Sequence, residues 1–151
     1  MDNTIALNAK TIADLIDDQY AAMLKAAEKL GEQNADWSPL GKGRTALSQL
    51  RECAFRAQLV TDSINGDPAK PWPTNEQLAD LYPSFASAVE ACRSNSHELT
   101  IVVRGLADVD LLKINNSTFG EMSLGRLLAV LYWNASYHEG QLYYMSSLAE
   151  Q

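Results

Sequence analysis

Apolar residues recur at three- and four-residue steps along most of this chain, the spacing that lines one face of an α-helix. In 8–30 the series Ile12, Leu15, Ile16, Met23, Leu24, Ala27 and Leu30 predicts a first helix, with Asn8 as its cap and Gly31 as its stop. The connection "GEQNADWSPLGKG" is rich in turn formers, and its Trp37 is expected to plug one end of the core. A second helix is predicted from Arg44 or Thr45 to about Ile64, closed by "NGDP". Leu47, Leu50, Ala54, Ala57 and Ile64 cluster on one side of it, while Phe55 and Leu59 fall on the other with Glu52 beside them. A helix with two apolar sides either sits between neighbours or meets another subunit.

Pro68, Pro71 and Pro73 make "PAKPWPTNE" a stiff connection, with Thr74 or Asn75 capping a third helix over roughly 75–105. Leu78, Leu81, Phe85, Val89 and Cys92 are spaced for one face of it, and Pro83 is expected to kink or break it. The pattern weakens around "RSNSHEL" and resumes in "ELTIVVRGL"; "ADVDLLKINNSTFG", 107–120, reads as an ordered loop. Ser123 caps a last helix that runs to Leu148. With no credible β alternation, the reading is an all-α fold, an antiparallel four-helix bundle in one domain over 1–151. Connections of 10 to 15 residues leave room for a crossover or a short extra helix.

The inward face of the last helix carries Leu127, Leu131, Asn134, His138, Gln141 or Leu142, and Met145. Three polar groups thus interrupt an apolar stripe, and each left unsatisfied in a core would cost about 1–3 kcal/mol. They must be hydrogen-bonded or bind something. Positions 134 and 138 share one side of one turn, the spacing at which two histidines grip a metal. The first of the pair is Asn, whose amide oxygen is a poor ligand for zinc or nickel and suits only harder cations.

Four stretches, "WSPLGKGRTALSQLRE" at 37–52, "LADVDL" at 106–111, "MSLGRLLAVL" at 122–131 and "NASYHEGQL" at 134–142, together make the sequence similar to the DinB-like, or YfiT-like, superfamily of bacterial helical bundles. The resemblance covers nearly the whole chain. It implies a divalent metal held by three imidazoles, one on the second helix and two in a His–x–x–x–His–x–G–Q run on the last. Carried over by position, that triad lands on Glu52, Asn134 and His138, of which only His138 is a histidine; Gly140 and Gln141 match the rest of the run, and Glu139 stands where a basic residue is common. A carboxylate, a carboxamide and an imidazole should hold an ion far more weakly than three histidines, so nickel, zinc or manganese is expected to be weakly bound or absent. Without metal the three would form a hydrogen-bonded cluster in which Glu52 favours the imidazolium and burial opposes it.

Composition narrows the function classes. At 151 residues, 46% hydrophobic and 21% charged, the chain can bury one ordinary core. Its net charge of −7 leaves no surplus of Lys and Arg for a phosphate backbone, so nucleic acid is not an expected partner. The apolar run at 127–133 is far shorter than the roughly 20 residues of a membrane span. "MDNTIALNAK" lacks a basic-then-apolar signal segment, so a cytoplasmic protein with no membrane partner is expected. Cys53 and Cys92 lack metal-type spacing and read as buried free thiols rather than a disulfide. His97 sits among polar residues and should face solvent.

Two functional readings stay open. By resemblance, the first is a metal-dependent thiol transferase or hydrolase acting on a small-molecule thiol or other small ligand. His138 would anchor the ion, Glu52 would be a second ligand or a catalytic base, and Asn134 would orient. The second is a non-catalytic binding or structural bundle that has lost the metal. It is expected to be a homodimer through the spare apolar side of the second helix or the aromatic group Tyr132, Trp133, Tyr137, Tyr143 and Tyr144.

Overall fold

Short polar side chains set where each helix starts, by accepting backbone N–H groups that would otherwise lack partners. Asn8 Oδ1 accepts from Thr11 N at 2.8 Å and opens α1, Ala9–Leu30, which ends at Gly31 with φ +82°. Thr45 Oγ1 accepts from Ser48 N at 3.1 Å and opens α2, Ala46–Ile64. The computed structural model describes residues 7–150. Residues 1–6, on which the targeting argument partly rests, lie outside the described residues.

The single helix expected over 75–105 is two. Thr74 and Gln77 cap each other to start α3, Asn75–Leu81, and Ser84 and Ser87 do the same for α4, Phe85–Arg104. Pro83 separates them because its ring carries no N–H to continue the ladder and pushes the preceding Tyr82 out of helical geometry, to φ −131° and ψ 76°. Arg51 of α2 fastens the break, donating to the carbonyls of Tyr82 at 2.8 Å and Pro83 at 3.2 Å. No weakening occurs at "RSNSHEL", which is continuous helix. Ser123 caps α5, Leu124–Ala149. The loop expected at 107–120 contains a 3-10 turn, Asp108–Leu112, and then an antiparallel hairpin, β1 Ile114–Ser117 and β2 Gly120–Ser123, with Gly120 at φ +96°. Four-residue strands are too short to leave an alternation above background.

The four long helices form a bundle in which α1 and α2 each pack on both α4 and α5. Cys92 Sγ reaches the Leu50 carbonyl and Asn95 Nδ2 the Ala54 carbonyl, so α2 and α4 run parallel. Gln19 meets Glu139 and Lys29 meets Glu150, so α1 and α5 are parallel too. The other two neighbouring pairs are antiparallel: Thr100 bonds Asp17 while Arg104 bonds Asp14, and Glu52 meets Asn134 while Gln49 meets Met145. The bundle is therefore not antiparallel throughout. The segment from 65 to 84, which carries α3, is the crossover that makes α2 and α4 parallel.

Leucines and alanines with Ile16 and Met23 fill the interior, among them Leu50, Leu99, Leu128, Leu131 and Leu142. Both cysteines are buried and free. The second apolar side of α2 is covered by the chain itself: Leu59 is buried, and Phe55 packs edge-on to Trp72 with ring centroids 5.6 Å apart. Leu81, expected on an inward face, is exposed, because the break at Pro83 takes α3 out of line with α4. Trp37, expected to plug one end of the core, is exposed, and so is His97. Among the described residues no helix is long and apolar enough to cross a membrane. Thr45→Ala, which removes the cap that starts α2, is expected to lower the unfolding free energy by about 1 kcal/mol in a urea titration.

Candidate functional site

Successive turns of α2 present Gln49, Glu52, Cys53 and Arg56 toward α5, which answers with Asn134, His138 and Gln141. The structure brings Glu52, Asn134 and His138 together in one buried cluster, His138 being only 1% exposed and Glu52 8%. Asn134 Nδ2 lies 3.0 Å from Glu52 Oε1 and 3.4 Å from His138 Nε2. His138 Nε2 is also 3.4 Å from Glu52 Oε1. On the far side of the ring, His138 Nδ1 faces two amide oxygens, Gln49 Oε1 at 3.0 Å and Gln141 Oε1 at 3.1 Å. Both are acceptors, so Nδ1 carries the hydrogen. Nε2 then accepts from the Asn134 amide when the ring is neutral and donates to Glu52 when it is charged.

The carboxylate is surrounded by donors. Arg56 Nη2 reaches Glu52 Oε1 at 3.1 Å, and Arg44, from the loop before α2, donates to Glu52 Oε2 and to the Ser48 carbonyl. Burial would push the Glu52 carboxyl up, but hydrogen bonds from His138 and Arg44, with the charges behind them, hold it well below the usual carboxylate range. Arg56 is itself held against aromatic faces, its guanidinium carbon 4.4 Å from the Phe119 ring centre and 5.1 Å from that of Trp72. Its Nε makes no hydrogen bond. The cluster thus extends from the helices to the crossover, through Trp72, and to the hairpin turn, through Phe119.

The donor set does not fit a divalent ion. Glu52 Oε1 accepts from Asn134 and Arg56 and Oε2 accepts from Arg44, so an ion at either oxygen would have to displace a donor already bound there. The Asn134 group between carboxylate and imidazole is an NH₂, which cannot ligate. Its oxygen points the other way, 3.9 Å from Cys53 Sγ. Turning the amide over would set two acceptor oxygens against each other at the Glu52 contact, so the network fixes its orientation. Among the described residues no group of three or more His, Cys, Asp or Glu side chains is placed to share an ion. Burial raises the Cys53 and Cys92 thiols above their ordinary range, so neither offers a thiolate as nucleophile or ligand at neutral pH.

Sequence reasoning did not single out Gln49, Arg44 or Arg56 for this site. Arg56 stands four residues after Glu52, an ion-pair spacing on a helix, and Gln49 stands three before it. Arg44 reaches forward from a loop, for which periodicity carries no signal. A second polar contact joins α1 to α5, where Gln19 donates to Glu139 at 2.5 Å and accepts from Ser136 at 2.8 Å; this is the place of Glu139.

A family model described as the DinB superfamily matches residues 15–142, a span that includes every side chain of the cluster. No protein of curated function matches the chain.

Glu52→Gln leaves Arg44 and Arg56 without their counter-charge, and at pH 7 it is expected to cost about 3 kcal/mol of stability. A carboxyl held low in the folded state stabilises above its unfolded value and loses that contribution as pH falls toward the folded one. Urea titrations should therefore show the gap between wild type and variant shrinking below about pH 4.

Proposed function

The chain belongs to the DinB superfamily, and we propose that within it this protein is a metal-independent binding or structural bundle rather than a metal-dependent thiol transferase or hydrolase. Glu52, Asn134 and His138 join α2 to α5 in this reading, and none of them holds an ion or acts on substrate. The observation that carries it is the Asn134 NH₂, 3.0 Å from the carboxylate and 3.4 Å from the imidazole. It gives both groups the partner an ion would otherwise give. Arg44 and Arg56 bring the two positive charges that a divalent cation would bring. A catalytic role for Glu52 or His138 needs one of them to touch a substrate, and burial, with partners on both ring nitrogens and both carboxylate oxygens, opposes that.

Metal content tests the reading. Purified protein, dialysed after incubation with nickel, zinc and manganese at millimolar concentration, is expected to carry far less than one ion per chain and to melt at the same temperature with or without chelator. A variant with three imidazoles, Glu52→His with Asn134→His, is expected to gain a zinc-dependent rise in Tm of several degrees. Stoichiometric metal in the wild type that disappears in His138→Ala would overturn the reading and restore the metal-dependent alternative.

A further inference from the structure

Where the crossover passes over α2 it leaves a groove of about 510 Å³ between Phe55 of α2, Pro71, Trp72 and Pro73 of the crossover, and Asp80 and Leu81 of α3. The prolines on either side of Trp72 hold 71–73 out of regular structure. The break at Pro83 turns α3 away from the line of α4, so that Leu81, with Gln77 one turn earlier, borders the groove instead of the core. Trp72 is fixed by its neighbours: Phe55 meets it edge-on with centroids 5.6 Å apart, Phe119 lies at 5.8 Å, and the Arg56 guanidinium is 5.1 Å from its ring centre. It is nevertheless 38% exposed, and Leu81 is 54% exposed. An immobilised ring and an aliphatic side chain in a groove of this size suit a small molecule with an apolar body, because little conformational freedom is left to lose on binding.

The charge of that molecule follows from the charged groups at the groove. Asp80 is exposed and has no ion-pair or hydrogen-bond partner for its carboxylate among the described residues. Lys70, the one basic residue lining the groove, is engaged by Asp62 at 2.8 Å, and the charge of Arg56 is matched by Glu52 at 3.1 Å. The unmatched charge at the groove is therefore negative, on a chain whose net charge is −7. An indole face, negative at its centre, adds to the same preference. We propose that the groove binds a small organic ammonium ion, its apolar body against Trp72 and Leu81 and its nitrogen beside Asp80.

This site lies outside the cluster of Glu52, Asn134 and His138 and is read from ligand titration, not from metal content, so either proposal can fail alone. Three probes with the same ring and similar length separate the contributions: phenethylammonium, neutral 2-phenylethanol and anionic 3-phenylpropionate. In proton–nitrogen correlation spectra, with the indole signal of Trp72 assigned through Trp72→Phe, phenethylammonium is expected to shift that signal saturably with a Kd of about 1 mM. The signals of Trp37 and Trp133 should stay in place. The neutral and anionic probes are expected to bind at least about tenfold more weakly. Asp80→Asn is expected to bring phenethylammonium down to the level of 2-phenylethanol, and Leu81→Ala to weaken all three. Both replaced side chains are exposed, so both variants should keep the helical circular dichroism of the wild type. A Trp72 signal that does not respond to about 20 mM phenethylammonium overturns the proposal. So do equal affinities for the three probes, tighter binding of the anion, or a preference for the cation that survives Asp80→Asn.

Discussion

A carboxylate buried between two helices has to be matched by positive charge and N–H donors, and the half of the bundle built on α2 is arranged around that requirement. Glu52 draws Arg44 down from the loop after α1 and Arg56 across from the next turn of its own helix. Arg56 is in turn the post against which the crossover and the hairpin settle, through Trp72 and Phe119. Asn134 and His138 complete the shell from α5. One ionised side chain thereby links five separate pieces of the chain.

A carboxamide at position 134 can do what an imidazole there could not. An imidazole aims a single lone pair inward, whereas the Asn134 amide splits its functions. Its NH₂ goes to the two groups that would have shared a cation, and its oxygen turns to the Cys53 thiol. Once Glu52 rather than a neutral imidazole faces it from α2, that split is the favourable orientation. Glu52 and Asn134 therefore suit one another as a pair, and the buried histidine keeps a fixed tautomer through Gln49 and Gln141.

Much of the fold was legible because its determinants are local. The steps of three and four apolar residues located every long helix, and Asn8, Thr45, Thr74 and Ser123 cap where a short polar side chain before an apolar run should. Pro83 announced a break, although not that α3 would leave the line of α4 and expose Leu81. The four-residue hairpin strands left no readable alternation, and helix direction around the bundle depends on contacts far apart in sequence. At the site, Asn134 and His138 were evident as polar positions on an inward face. Glu52 was drawn in by resemblance alone, since it lies off the main apolar stripe. Arg44 was not legible, because a loop side chain reaching eight residues forward follows no period.

On the reading proposed here, the Asn134 amide hydrogens stand between Glu52 and His138 in the place a cation would take. An anomalous difference map at the zinc edge, from crystals equilibrated with millimolar zinc, tests it most directly. No peak is expected within the cluster, and Asn134 Nδ2 should stay in hydrogen-bond contact with Glu52. A peak roughly 2.0–2.1 Å from His138 Nε2, with the arginines displaced from the carboxylate, would contradict it.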